Sequence, residues 1–217
     1  MKTQALKIIL ILFLSISFGG CSLILQTGRR SDVQKIQELS TQVDDLAQAK
    51  KILEDRLSQE IKDNQVKLEM MEKGLVVTFV ADILFDSGKD KIKKEAFPIL
   101  AKVAAVLNEN LVELKVGIEG HTDNEPIRFS RWKSNWELST ARALSVLHYL
   151  SDEKGVSPSR LSVIGYAEYQ PVAENSTKEG QKLNRRVEVV IYPKITKVKE
   201  TEETEKPVSE ESKENLK

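Results

Sequence analysis

An α/β sandwich, with helices on one face of a mixed four-stranded sheet, is the fold this sequence predicts, and three observations predict it. Apolar residues alternate over 77–85 and again over 112–118. Three- and four-residue spacing follows each of these runs, and alternation returns at 161–165 and 186–192. Strands separated by helices of this length need crossover connections, as in βαβ units. The expected order is βαβαβ(α)β across 74–193, preceded by a long helical stalk over 33–73.

Each element has its own signal. In the first strand Val77, Phe79, Ala81, Ile83 and Phe85 alternate with Thr78, Val80, Asp82 and Leu84, so one face should be well buried. Ile92, Ala96, Leu100, Val103 and Leu107 follow at helical spacing. Pro98 moves that helix's start to near Phe97, because proline fits a first turn. In the second strand Val112, Leu114, Val116 and Ile118 point one way, while Glu113, Lys115 and Glu119 point the other. Ser134, with Glu137 three residues on, has the form of a capping box. The helix behind it runs to about Ser151 and should bury Trp136, Ala143, Val146, Leu147 and Leu150. A loop and one short helix fill 174–183, before Val187, Val189 and Ile191 alternate in the last strand.

The flanks differ from this domain. Lys2 and Lys7 lie before and at the start of an apolar run from Leu6 to Phe18, which is the pattern of a secretory signal. The small pair Gly19-Gly20 then leads into Cys21, the only cysteine in 217 residues. One cysteine makes no internal disulfide, and zinc-ligand spacing is absent. Gly19-Gly20-Cys21 resembles the lipobox of bacterial lipoproteins. That resemblance implies removal of 1–20, acyl chains on Cys21, and a short spacer to residue 32. An uncleaved membrane helix over Ala5–Leu25, near the ~20 residues needed to span a bilayer, is the alternative. Either way the rest of the chain lies outside the cytoplasm. By the sorting preference of enteric bacterial lipoproteins, the family this segment resembles, Ser22 rather than Asp after the cysteine implies the outer membrane, with the protein facing the periplasm.

Residues 33–73 contain no Gly or Pro. Ile36, Leu39, Val43, Leu46, Leu53, Leu57, Asn64 and Met71 fall on a 3.5-residue repeat with charged residues between them, the pattern of a coiled coil. Such a helix would reach about 60 Å and could pair with a second copy. Beyond Pro193 the segment 194–217 is rich in Glu, Lys, Thr and Ser, a composition that buries too little to fold. Lys+Arg and Asp+Glu balance at 33 each, so no global field recruits nucleic acid.

The chemistry concentrates after the second strand. Glu119-Gly120-His121-Thr122-Asp123-Asn124 is followed by Ser134-Asn135-Trp136-Glu137-Leu138-Ser139 and Arg142-Ala143. Gly165-Tyr166-Ala167-Glu168 and Asn184-Arg185-Arg186-Val187-Glu188 come later, with Phe85-Asp86-Ser87-Gly88 upstream. These ordered blocks resemble the OmpA-like family, which includes peptidoglycan-associated lipoprotein and the periplasmic domain of motility protein B. The resemblance covers roughly 75–192. It implies a non-enzymatic domain that binds the stem peptide of peptidoglycan at a diamino acid, usually diaminopimelate, and tethers the outer membrane to the wall.

Within that resemblance Asp123 matches the aspartate that takes the ligand's ammonium, and Arg142 the arginine whose planar fork holds its carboxylate. Thr122 and Asn135 accompany them, and Phe85, Asp86, Arg185 and Arg186 would line the rim. An internal Asp123–Arg142 salt bridge is the plainer alternative. The loop between these two residues is long, as in the stator protein, which suggests a stator or another inner-membrane-anchored wall-binding protein as the second possibility. Ion conduction needs an acid within the membrane segment, and Ala5–Leu25 has none. His121 and His148 have no third ligand at metal spacing, so no metal or cofactor is expected. Phosphate-binding glycine loops are absent too.

Intact-mass measurement of the membrane-bound chain should show a lipoprotein beginning at Cys21 and carrying acyl mass, both lost on Cys21→Ser; a full-length chain without acyl mass before any substitution would favour the uncleaved anchor.

Overall fold

The computed structural model describes residues 33, 36, 37, 39–41, 43–128 and 131–194. The signal-like segment, Cys21 and its spacer, and the tail beyond 194 lie outside the described residues. Helix α1 (43–56) and the short α2 (Ser58–Lys62) lead into an antiparallel hairpin of β1 (Val66–Met71) and β2 (Gly74–Val80). One turn, α3 (Ala81–Leu84), and a 3₁₀ turn at Lys94–Ala96 precede α4 (Phe97–Glu109), whose first turn holds Pro98. Then come β3 (Val116–His121), α5 (Asn135–His148) with a π turn at Tyr149–Glu153, and β4 (Leu161–Ala167). Helix α6 (Lys178–Asn184) and β5 (Arg186–Ile191) close the domain.

The sheet order is β1-β2-β5-β3-β4, with only β3 and β4 parallel. Phe79, Val77 and Leu75 of β2, Val187, Val189 and Ile191 of β5, and Val116 and Ile118 of β3 form one apolar face. Leu100, Val103 and Leu107 of α4, with Ala143, Val146 and Leu150, pack on it. Arg160 staples the connection into β3 by donating to the carbonyls of Leu107, Leu111 and Leu114.

The sheet has five strands, not four. The additional one, β1, lies inside the segment expected as stalk, with Val66 opposite Phe79 and Met71 opposite Gly74. The helix ends where Asn64 takes the left-handed conformation, φ 54°. Val66, Leu68 and Met70 then repeat at two residues, a strand signal hidden because Met71 falls on the heptad. Upstream, Leu46, Ala49, Leu53 and Leu57 are buried in the domain core. Their apolar seam faces α4 rather than a second helix, and the Arg56–Glu109 and Lys102–Glu60 ion pairs fasten it there. Ile36, Leu39 and Val43, on the same seam, stay exposed, as does Val33 beside it.

Four local expectations also change. The first strand stops at Val80, because Ala81, Leu84 and Phe85 bury at helical spacing; Phe85 then bridges to Ile92. The second begins at Val116, leaving Val112 52% exposed, and it buries Glu119. Trp136 is 48% exposed, stacked on Tyr169 at 5.1 Å instead of entering the core. Ser134 occupies the N-cap position of α5 without a side-chain bond, while Glu137 accepts from the Lys133 amide at 2.8 Å. The capping box therefore does not form, because Glu137 reaches the residue before the cap rather than the Ser134 amide.

Shortening Leu53 to Ala should therefore lower stability by about 2–5 kcal/mol. The same change at Ile36 should stay within about 0.5 kcal/mol. Denaturant midpoints of the two variants check this; equal, small effects would return Leu53 to an independent stalk.

Candidate functional site

Three strand ends meet at one corner of the sheet. Arg186 is level with Val80 on one side and His121 on the other, so the residues after β2, those after β3 and the one before β5 converge. Arg185, just before β5, donates through Nη1 to Asp123 Oδ2 at 2.7 Å and through Nη2 to Asp82 Oδ2 at 3.1 Å. These two carboxylates raise the pKa of Arg185 against the effect of its partial burial.

Helix α5 reaches this corner because two glycines let it approach. A Cβ on Gly120 would stand 2.0 Å from the Ser139 carbonyl, and one on Gly165 would stand 2.0 Å from Thr140 Oγ1. Ser139 Oγ accepts from the Ala167 amide at 3.2 Å, tying the helix to the end of β4. Asn135, in the first turn, donates to the carbonyls of Asp123 (3.4 Å) and Glu125 (3.1 Å) and so shapes the loop after β3.

Two turns along α5, Arg142 is only 5% exposed. Its Nε donates to Lys89 O at 2.9 Å and its Nη2 to Asp86 O at 3.3 Å, and the guanidinium lies 5.3 Å from the centre of the Phe85 ring. Burial lowers its pKa to about 10, opposed by Asp82 and reinforced by Arg185, so it keeps its charge at neutral pH. Among the described residues no carboxylate comes within ion-pair distance of Arg142, and its Nη1 corner has no hydrogen-bond partner. The internal Asp123–Arg142 salt bridge is absent: Asp123 pairs with Arg185 instead.

The remaining expected residues fall in different places. Thr122 is buried beside Asp123 with its Oγ1 unpartnered among the described residues, while its amide bonds the Ala167 carbonyl. Asp86 contributes its carbonyl; its exposed carboxylate pairs with Lys89, which lowers its pKa. Phe85 is buried under Arg142. Arg186, expected on the rim, is turned away and bonds Glu188, the Asn184 carbonyl and the Gln170 carbonyl. Side chains alternate across a strand, so neighbouring arginines part company where β5 begins. Asp82 was missed, because it looked like the outward position of a longer strand. No pattern could have marked the Lys89 carbonyl. Cys21 lies outside the described residues.

Chemically, the corner presents a carboxylate with one oxygen, Oδ1, held only by the Glu125 amide at 3.3 Å. A buried guanidinium without an acidic partner stands on the facing helix. That combination suits a small group bearing both charges.

Residues 84–185 match the OmpA family. The domain is OmpA-like. Motility protein B of Bacillus subtilis is 37% identical over 166 residues, covering 76% of this chain and 59% of that protein. Outer membrane protein Omp38 of Acinetobacter baumannii is 48% identical over 105 residues, which is 48% of this chain and 28% of that one. Among solved structures, the cell wall anchor of the T6SS from Pseudomonas aeruginosa matches with a TM-score of 0.60 at 36% identity, over 65% of this chain and 97% of that one. The chain thus spans less than two thirds of the length of these curated relatives. Among the described residues no helix is long and apolar enough to cross a membrane.

Adding one methyl group by Gly120→Ala should push α5 off β3 and cost about 1–3 kcal/mol through overpacking. Thermal unfolding checks the expectation, and unchanged stability would show that the helix and strand are not in this close contact.

Proposed function

We propose that this OmpA-like domain holds peptidoglycan non-covalently by the diamino acid of its stem peptide. One observation carries the proposal: the buried, charged Arg142 has no acidic partner among the described residues, near an Asp123 whose second oxygen is only weakly engaged. A diamino acid bears an ammonium and a carboxylate on one carbon. The ammonium would sit at Asp123 Oδ1 while Arg185 keeps Oδ2, and the carboxylate would take the Nη1 corner of Arg142. Backbone carbonyls already hold the guanidinium plane, so little freedom is lost when the carboxylate binds. Thr122 Oγ1, buried and unpaired, would gain a bond in the complex. The function is attachment without turnover, and many copies on one polymer make it persistent.

The finer parts extend from sequence. Diaminopimelate as the diamino acid, acyl chains on Cys21 and the outer membrane as the anchored layer form the first reading. The second places the protein at the inner membrane like motility protein B, and the 37% identity to that protein favours it. The missing acid between Ala5 and Leu25 speaks against ion transport in that setting. In either case the exposed Val33, Ile36, Leu39 and Val43 would let the N-terminal helices of two copies pair.

Asp123→Ala and Arg142→Ala should each weaken co-sedimentation of the full chain with purified peptidoglycan by about 2–5 kcal/mol of binding free energy, with unchanged circular dichroism. Arg142→Lys should recover only part of it, since lysine lacks the planar fork. Undiminished binding in both alanine variants would sink the site.

A further inference from the structure

On the sheet face away from α4 and α5, Glu119 of β3 and Glu188 of β5 stand directly opposite each other, both buried. Facing carboxylates on paired strands repel, more so where water is excluded, and a cation has to lie between them. Lys73, from the turn joining β1 and β2, supplies it: Nζ is 2.7 Å from Glu119 Oε2 and 2.8 Å from Glu188 Oε2. Arg186 Nε holds the other Glu188 oxygen at 2.6 Å. His121 lies two residues beyond Glu119 and therefore on the same face. It is 2% exposed, stacks on Tyr166 at 5.1 Å, and places Nε2 3.9 Å from Glu188 Oε1. Neither ring nitrogen has a hydrogen-bond partner among the described residues. A buried polar atom left unpaired is costly, and a ligand would remove that cost.

One ligand atom each from Glu119, His121 and Glu188 lies within 4.8 Å of the other two. We propose that these three side chains form a site for a divalent metal of the zinc class, and that Lys73 fills it as a tethered, displaceable cation. Two carboxylate oxygens and an imidazole nitrogen are a zinc-type donor set, with a fourth position for water. Ligand bonds of about 2.0–2.2 Å require the three atoms to close in slightly by side-chain rotation. Lys73 and Arg186 balance the two carboxylates as found, so a dication replacing Lys73 raises the cluster's charge by one. Lys73 is one-third exposed on a hairpin turn, and its ammonium can swing into water without breaking the sheet. A bound metal would brace the strand end from which Thr122 and Asp123 extend.

The test uses the full chain with Cys21→Ser and His148→Asn, which leaves His121 as its only imidazole and no thiol. Zn²⁺ binding is read by competition with a chromophoric chelator, and Co²⁺ by its visible absorption. One equivalent should bind, His121→Gln should weaken it about tenfold or more, and Lys73→Met should tighten it about tenfold, each tenfold step being one decade in Kd. If Lys73→Met unfolds without metal, refolding on Zn²⁺ addition is the expected result. The proposal is overturned by no saturable binding, by a His121→Gln variant that binds as well as its parent, or by a Lys73→Met variant that binds no tighter or is not rescued. Peptidoglycan co-sedimentation plays no part in these readouts, so they stand or fall apart from the wall-binding site.

Discussion

β5, the last strand among the described residues, is the middle strand of the sheet, and the corner where Arg185 meets Asp82 and Asp123 depends on that placement. β5 hydrogen-bonds β2 on one side and β3 on the other. Its two registers bring Arg185 between Asp82 and Asp123, which are 103 and 62 residues away along the chain. Contacts of such long range form only after the entropy of closing large loops has been met. The corner is complete only when β5 is seated.

The same strand divides its charges between two faces. Arg185 serves the corner, while Arg186 joins Lys73, Glu119 and Glu188 on the face opposite the helices. Burying those carboxylates is tolerable because each is paired, and pairing holds the pKa of Glu188 down against its burial. His121 follows a different course, since burial drives its pKa to about 3 and leaves it neutral. Arg142 and Arg160 follow a third: both are buried cations held by backbone carbonyls instead of an acid, and Arg142 lies in addition against the Phe85 ring.

Much of this was legible in the residues. Alternation located the cores of β2, β3, β4 and β5, and Pro98 marked the first turn of α4 because its ring fits nowhere else in a helix. The heptad over 33–73 divides in the structure: Leu46, Leu53 and Leu57 pack on the domain rather than on a second helix, and 66–71 is a strand. Leu53 and Leu57 look the same in sequence whether they face a second helix or the flank of a domain. Trp136 is expected inside with the other apolar residues of its helix, yet its position on α5 points it to Tyr169 at the surface. The family blocks pointed to Asp123 and Arg142, but not to Arg185 as the ion-pair partner of Asp123.

Periodicity and turn preferences act over a few neighbours, so the residues alone located β2 to β5, α4 and α5 and supplied the groups available for chemistry. The assembled fold was needed to show that β1 joins the sheet, that Asp123 pairs with Arg185, and that Arg142 has no acid among the described residues. Each of those outcomes is a cross-strand or helix-on-sheet contact between distant segments. Register and packing choose such partners, and no local pattern records the choice.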